Sequence, residues 1–346
     1  MATLTRIGVV GAGLIGRQHL AAIARTPGVT LSSVLDPALQ QCEWPRAQDL
    51  AEVIADSDGI ILAVPNALHA PMVHDAIVAG CPVLIEKPLT GSAAEGVALV
   101  DAANAAGVPV LVGHHRRHNP LVAKAHEIIA GGTLGMVTTV HGQCWLPKPD
   151  DYFKADWRQG AGAGPLFINL IHDVDVLMYL CGPIVQVQAL ESNAVRGSDA
   201  EEVSVAILRF ASGALGTLNL ADVALGPWSW EMTAGENPAY PKTDESAYLI
   251  GGTHGSLALP NLSVWSQKQG PDWWAPMDQT RMPVAASDPL SAQISHFADV
   301  IAGRAAPLVS AQDGLRAVQV IEAIKAAARS GQAVDVPAPP TCGPDL

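Results

Sequence analysis

Ile7-Gly8-Val9-Val10-Gly11-Ala12-Gly13-Leu14-Ile15-Gly16 decides how this chain folds. Its first four residues read as a short buried strand, and residues 14–25 repeat their apolar side chains at helical spacing. Between the two stands G-x-G-x-x-G, in the strand-to-helix context that gives the pattern meaning. Gly11 permits a tight turn, Gly13 lets a ligand approach the backbone, and Gly16 lets the helix sit close on the sheet. A helix N-terminus presents unpaired N–H groups and the positive end of the macrodipole, which favour a pyrophosphate. Gly11, Gly13, Leu14, Ile15 and Gly16 are therefore expected to cradle a dinucleotide.

Asp36 lies twenty positions beyond Gly16, at the end of the next apolar run. A carboxylate there accepts hydrogen bonds from the adenosine ribose and repels a 2′-phosphate, which predicts NAD over NADP. The competing reading is that Asp36-Pro37 only starts a turn.

Further along, short apolar runs alternate with helical segments as far as about residue 120, the texture of βαβ units. Strands are expected at residues 7–10, 30–35, 59–64, 83–85 and 108–112. Helices are expected at 14–25, 68–79 and 93–106, the last capped by Ser92 and stopped by Gly107. The implied fold class is α/β: a Rossmann domain over residues 1–120, then an α+β domain over 121–346 with a large open, mostly antiparallel sheet. In the second domain a helix at 121–130, strands at 203–210 and 214–221 around Ser212-Gly213, and a helix at 312–329 stand out. Residues 227–241 and 271–289, rich in Pro and Trp, read as ordered surface loops, and the Pro-rich tail from Pro337 as mobile.

The bulk numbers narrow the function. With 49% hydrophobic and 15% charged residues the chain is not a disordered one. A net charge of -13 opposes a phosphate backbone or an anionic membrane, so neither nucleic acid nor membrane is expected as a partner. Cys42, Cys81, Cys144, Cys181 and Cys342 are odd in number and contain no C-x-x-C pair, which fits a reducing cytoplasm. No secretory signal pattern and no apolar run of membrane-spanning length is read. His114, His115 and His118 lack a completing carboxylate or cysteine, and no metal is expected.

Three further stretches carry a family likeness: Ala63-Val64-Pro65-Asn66-Ala67-Leu68-His69, Glu86-Lys87-Pro88-Leu89, and Gly113-His114-His115-Arg116-Arg117-His118-Asn119-Pro120. Together with Ile171-His172-Asp173-Val174-Asp175 they make the chain resemble the glucose-fructose oxidoreductase/inositol dehydrogenase/rhizopine catabolism (Gfo/Idh/MocA) family. The resemblance implies an active site between the two domains, a homodimer or homotetramer, and hydride transfer between NAD and a secondary alcohol of a sugar, sugar derivative or cyclitol. It also implies that Lys87 and His172 are catalytic and that Pro65, Asn66, His69, Glu86 and Lys87 contact the cofactor. Inositol dehydrogenase-like members carry Asp four residues before the histidine, where this chain has Ile168.

Oxidising an alcohol requires a group that takes the hydroxyl proton as hydride leaves. Histidine, with a reference pKa of about 6.5, exchanges a proton near neutrality, whereas lysine at about 10.4 serves more readily as a polarising cation. His172 is thus the expected proton carrier and Lys87 its partner. If the segment is helical, Asn169, His172 and Asp173 share a face at i, i+3 and i+4. The expected substrate contacts are Lys87, Arg116, Trp157, Arg158, Asn169 and His172. The arginines keep open a carboxylated cyclic cis-diol as substrate. The missing aspartate keeps open a non-catalytic, NAD-binding sensor, with Lys87 a solvated lysine and His172 a packed one.

Overall fold

The computed structural model describes residues 4–39, 43–154, 160 and 164–338. The chain begins with β1 (Thr5–Val10), α1 (Leu14–Arg25), β2 (Val29–Leu35), α2 (Leu50–Asp56), β3 (Gly59–Leu62), α3 (His69–Val78), β4 (Val83–Ile85), α4 (Ala93–Ala106) and β5 (Val110–Val112). These strands pair in parallel in the order β2-β1-β3-β4-β5. The order reverses between β1 and β3, the switch point where open α/β sheets bind ligands, and the glycine turn follows β1 there. Ser92 caps α4 by accepting the Glu95 N–H, and Gly107 ends it in the left-handed region, φ 65.

From Pro120 the elements are α5 (Pro120–Ala130), β6 (Val137–Trp145), α6 (Ile171–Cys181), β7 (Ile184–Ser192), β8 (Val203–Phe210), β9 (Leu215–Ala221), α7 (Trp230–Thr233), β10 (Tyr248–Gly252), β11 (Gly255–Leu259), β12 (Ser263–Ser266), β13 (Asp278–Arg281), α8 (Pro289–Ile301), α9 (Ala311–Ser330) and β14 (Val334–Asp335). Two compact units result: the chain through Asn119 together with Ser287–Val318, and Pro120–Ala286 with the chain from Gln319.

Strand alternation explains the first unit. Ile60, Leu62, Val83, Ile85, Val110 and Val112 point to one face and pack with Val53 of α2, Val73 and Ile77 of α3, and Leu99 and Val100 of α4. Ile7, Val9, Ile61, Leu84 and Leu111 point to the other and pack with Leu20 and Ile23 of α1 and with Ile294, Phe297 and Val300 of α8. Strands buried on both faces need both layers. The domain limits expected from sequence therefore need correction at one place: residues 287–318 belong with the first unit, because α8 covers part of a face that α1 shares. Gly59 fits this contact, since a Cβ there would lie 2.5 Å from Ile301 Cδ1.

The second unit holds a nine-stranded sheet ordered β13-β12-β11-β10-β6-β9-β8-β7-β14. Only the β6–β9 pairing is parallel. Its strands alternate cleanly: Ala206, Leu208 and Phe210 of β8 and Leu218 and Leu220 of β9 are buried. Almost every residue of α6 is buried, and Gly142 of β6 meets Leu177 of that helix. The stretches expected as loops contain α7 and β13. The latter is an exposed, polar edge strand with no apolar alternation to read. Most of the tail from Pro337 lies outside the described residues. Among the described residues, no helix is long and apolar enough to cross a membrane.

Candidate functional site

The glycine turn divides its three glycines by what surrounds them. Gly11 has φ 90, and a Cβ there would lie 2.2 Å from the Ala63 carbonyl oxygen; one at Gly16 would lie 2.0 Å from the Gly11 oxygen. Gly13 differs: beyond its chain neighbours, a Cβ would meet no atom of the described residues within 4 Å. Gly13 is also the N-cap of α1 and provides no side-chain cap, and the next residue, Leu14, is 85% exposed. The first-turn N–H groups of a twelve-residue helix are thus left for an anion, in the open space that a pyrophosphate needs.

Asp36 serves the turn as well. Its Oδ2 accepts the Ala12 N–H at 2.6 Å and its Oδ1 the Ala38 N–H at 2.7 Å, so it both fixes the glycine loop and starts the turn at Pro37. A carboxylate has further lone pairs on each oxygen for a ribose diol. Arg17 donates from Nε to the Ala12 oxygen at 3.0 Å and lies over the Trp44 ring at 5.6 Å.

Beyond β3, Pro65 and Asn66 are exposed, as cofactor contacts need to be. His69 is not: it is buried, with Nδ1 2.8 Å from the Pro88 oxygen and Nε2 3.0 Å from the Val64 oxygen. A neutral imidazole donates to one of these two carbonyls, which ties His69 to the chain around it. Glu86, directly after β4, is buried and bonds to His19 Nε2 at 2.7 Å, while its Oε2 accepts the Lys87 N–H at 3.2 Å. Burial alone would raise the Glu86 pKa, but the bond from His19 and the charges of His115 and Lys87 outweigh it and hold the carboxyl below its ordinary range. Lys87 is half-buried. Sequence reasoning missed His19; the available signal was its place three residues after Gly16, on the same face of α1.

The segment after β5 is more structural than expected. Arg116 is only 2% exposed. Arg117 donates to the Leu308 oxygen at 3.2 Å and to Asp313 Oδ1 at 3.4 Å, within the same unit. Burial, with the cations of Arg117 and Lys87, drives the His114 pKa well below normal. Burial and the neighbouring His296, His115 and Arg117 push His118 down to about 3. Its ring lies 5.3 Å from that of His296, and neither of its nitrogens has a hydrogen-bond partner among the described residues. Between the ordinary value of 6.5 and the folded value of about 3, only the unfolded chain takes up this proton, so stability falls as pH drops through that window. His118→Phe removes no hydrogen bond and is expected to gain about 2 kcal/mol over the native chain midway through it. Urea titrations at neutral and acid pH check this; an unchanged acid slope would refute it.

In the second unit, His172 sits in the first turn of α6 and is 7% exposed. Beside it in sequence, Asp173 accepts a hydrogen bond from the Tyr248 hydroxyl. Asn169 lies in a single π turn, Leu166–Leu170, where the Ile171 N–H bonds back to the Leu166 oxygen. His172 and Asp173 follow in the first turn of regular α-helix. Asn169 Oδ1 is buried and has no hydrogen-bond partner among the described residues. Trp157 and Arg158 lie outside the described residues. A buried ionic cluster went unread in the sequence: Asp222 bonds to Arg196 at 2.8 Å and pairs with Lys148 at 3.3 Å, while Glu202 accepts the Val195 and Arg196 N–H groups. Burial lowers the Lys148 pKa, and Asp222 works against the shift. Among the described residues, no group of three or more His, Cys, Asp or Glu could hold a metal ion.

A glycine turn at the switch point of a parallel sheet, with an uncapped helix and a carboxylate just after the next strand, defines a dinucleotide-binding protein. Residues 5–114 match the model of the oxidoreductase family with an NAD-binding Rossmann fold, and residues 122–258 that of the GFO/IDH/MocA C-terminal domain. The chain belongs to the Gfo/Idh/MocA family of NAD-binding oxidoreductases. It is 31% identical over 230 residues to inositol 2-dehydrogenase 4 of Saccharopolyspora erythraea, covering 62% of this chain and 66% of that enzyme. It is 30% identical over 237 residues to 4-carboxy-2-hydroxymuconate-6-semialdehyde dehydrogenase of a Sphingobium species, covering 64% and 73%. Among solved structures it is similar to the WlbA dehydrogenase from Bordetella pertussis in complex with NADH and UDP-GlcNAcA. That match has a TM-score of 0.76 and 25% identity, and covers 97% of this chain and 99% of that one.

Proposed function

We propose that this oxidoreductase transfers hydride between NAD and a secondary alcohol of a sugar, sugar derivative or cyclitol, with Lys87 polarising the reacting oxygen and His172 carrying its proton. The observation that carries the NAD half is Gly13, where the backbone beside an uncapped helix faces open space. Asp36, with its carboxylate at the end of β2, supports NAD over NADP. Bound NAD supplies the hydride acceptor. For the substrate half, Asn169 Oδ1 is a buried acceptor that finds no donor among the described residues, which a substrate hydroxyl can satisfy. The related inositol 2-dehydrogenase 4 points to polyols. A panel of cyclitols, aldoses and their acids, assayed by NADH absorbance with NAD and NADP in parallel, tests this. Turnover of at least one neutral polyol, with NAD preferred, is expected; none with any member would overturn it.

A carboxylated substrate is the second reading, favoured by the related semialdehyde dehydrogenase, whose name carries a carboxyl group. The described arginines speak against it: Arg116 is buried and Arg117 is engaged by Asp313. Turnover confined to the acids in the panel would establish it. Self-association as a homodimer or homotetramer belongs to the same proposal. Leu190, Val205, Ile207, Leu215, Leu249 and Trp265 are exposed on the sheet strands, and the mass in solution by light scattering checks it.

A further inference from the structure

We infer that His19 is a positioning residue that ties the pyrophosphate-binding helix to the backbone of Lys87 by donating a hydrogen bond from Nε2 to Glu86. The side chain of His19 is fully buried. It stands three residues past Gly16, the position at which α1 packs most tightly on the glycine turn. Its Nε2 lies 2.7 Å from Glu86 Oε1, and the other oxygen of that carboxylate accepts the Lys87 N–H at 3.2 Å. One carboxylate thus joins α1 to the residue that begins the turn after β4. Gly113 is part of the same arrangement: a Cβ there would lie 2.8 Å from Glu86 Oε1, so glycine leaves the carboxylate its place.

The chemistry of the pair fixes the tautomer. An ionised carboxylate only accepts, so Nε2 must carry the proton. Nδ1 of His19 is buried with no hydrogen-bond partner among the described residues, and a bare ring nitrogen there avoids burying an unpaired N–H, which an imidazolium would impose. The groups facing Glu86 are His19 from α1, which acts through its N–H, and His115 from the turn after β5 and the adjoining Lys87, which act through their charge. Removing the His19 donor leaves a buried carboxylate with its Oε1 bond broken, free to protonate or swing, and the Lys87 backbone loses its anchor. A role for His19 in core packing alone predicts none of this.

The inference rests on NAD binding and not on the identity of the alcohol, so its test reads NAD affinity on the apo-protein by fluorescence titration across pH. His19→Leu, which keeps bulk and removes the donor, is expected to weaken NAD about tenfold, in line with the loss of one hydrogen bond to a charged group, and to change the pH dependence of binding. His19→Gln places an amide N–H near the Nε2 position and is expected to restore affinity to within about threefold. Nitrogen NMR of the native protein with labelled histidine is expected to show the Nε2–H tautomer at His19. Native affinity and pH dependence in His19→Leu, a glutamine variant as weak as the leucine one, or an Nδ1–H tautomer would each overturn the inference. Should the leucine variant fail to fold, the glutamine variant and the tautomer still decide.

Discussion

Lys87→Met is expected to lower kcat about a thousandfold while NAD still binds. The substitution keeps an unbranched side chain of similar length and removes the ammonium alone. That ammonium stands after the carboxyl end of β4, and its charge is felt by both Glu86 and His114. A cation held where negative charge develops on an alcohol oxygen contributes roughly a hundred- to ten-thousandfold to rate, through polarisation or proton transfer. Glu86 keeps its bond from His19 and the glycine turn is untouched, so NAD affinity should change only a few-fold. His172→Asn is expected to cost about as much, since an amide cannot accept the proton. Steady-state rates with the best substrate of the polyol panel, alongside NAD titrations, separate the effects. Native turnover in Lys87→Met would remove this lysine from the chemistry. A native chain that binds NAD and oxidises nothing in the panel would instead belong to the sensor class.

What could be read in the sequence follows how local its cause is. The span of α1 falls where its apolar spacing puts it, and β4 falls on a wholly buried apolar run. The α4 boundaries were legible because Ser92 and Gly107 are local signals with fixed backbone consequences. Helix α8 was not, although Asp288 caps it and Pro289 opens it, because those signals stand in a Pro-rich run that reads as loop. Its place beside β3 was still less legible, since the contact of Ile301 with Gly59 spans most of the chain. Separation along the chain likewise hid the Glu86 partner of His19, the Asp222 partner of Lys148 and the Asp313 partner of Arg117. Charged pairs of this kind leave no periodicity. The π turn at Leu166–Leu170 escaped because helical spacing was assumed to run through it. Motifs placed Glu86, Lys87 and His172 as candidates, but the motif could not reveal that His69, though part of one, is a buried staple.

Gly13→Ala is expected to leave the fold almost as stable as before and to weaken NAD by a hundredfold or more, whereas Gly11→Ala should fail to fold normally. The difference lies in what each new methyl meets. At Gly13 the backbone is extended, φ -69 and ψ -162, a region open to alanine, and beyond its own chain neighbours no atom of the described residues would stand within 4 Å of a Cβ. Alanine is a poorer N-cap than glycine, at a cost of less than about 1 kcal/mol. The methyl would, however, occupy the space through which a pyrophosphate reaches the first N–H groups of α1, and a hundredfold loss corresponds to about 2.7 kcal/mol. At Gly11 the positive φ and the Ala63 carbonyl 2.2 Å from the Cβ combine backbone strain with a clash against backbone, which places the cost above about 4 kcal/mol. Thermal unfolding with and without NAD reads both effects in one experiment, because a ligand that binds only the native state raises its midpoint. The native chain should shift upward with NAD, and Gly13→Ala should start near the native midpoint and shift little. If Gly13→Ala were stabilised by NAD as fully as the native chain, the open side of the glycine turn would not be where the pyrophosphate lies.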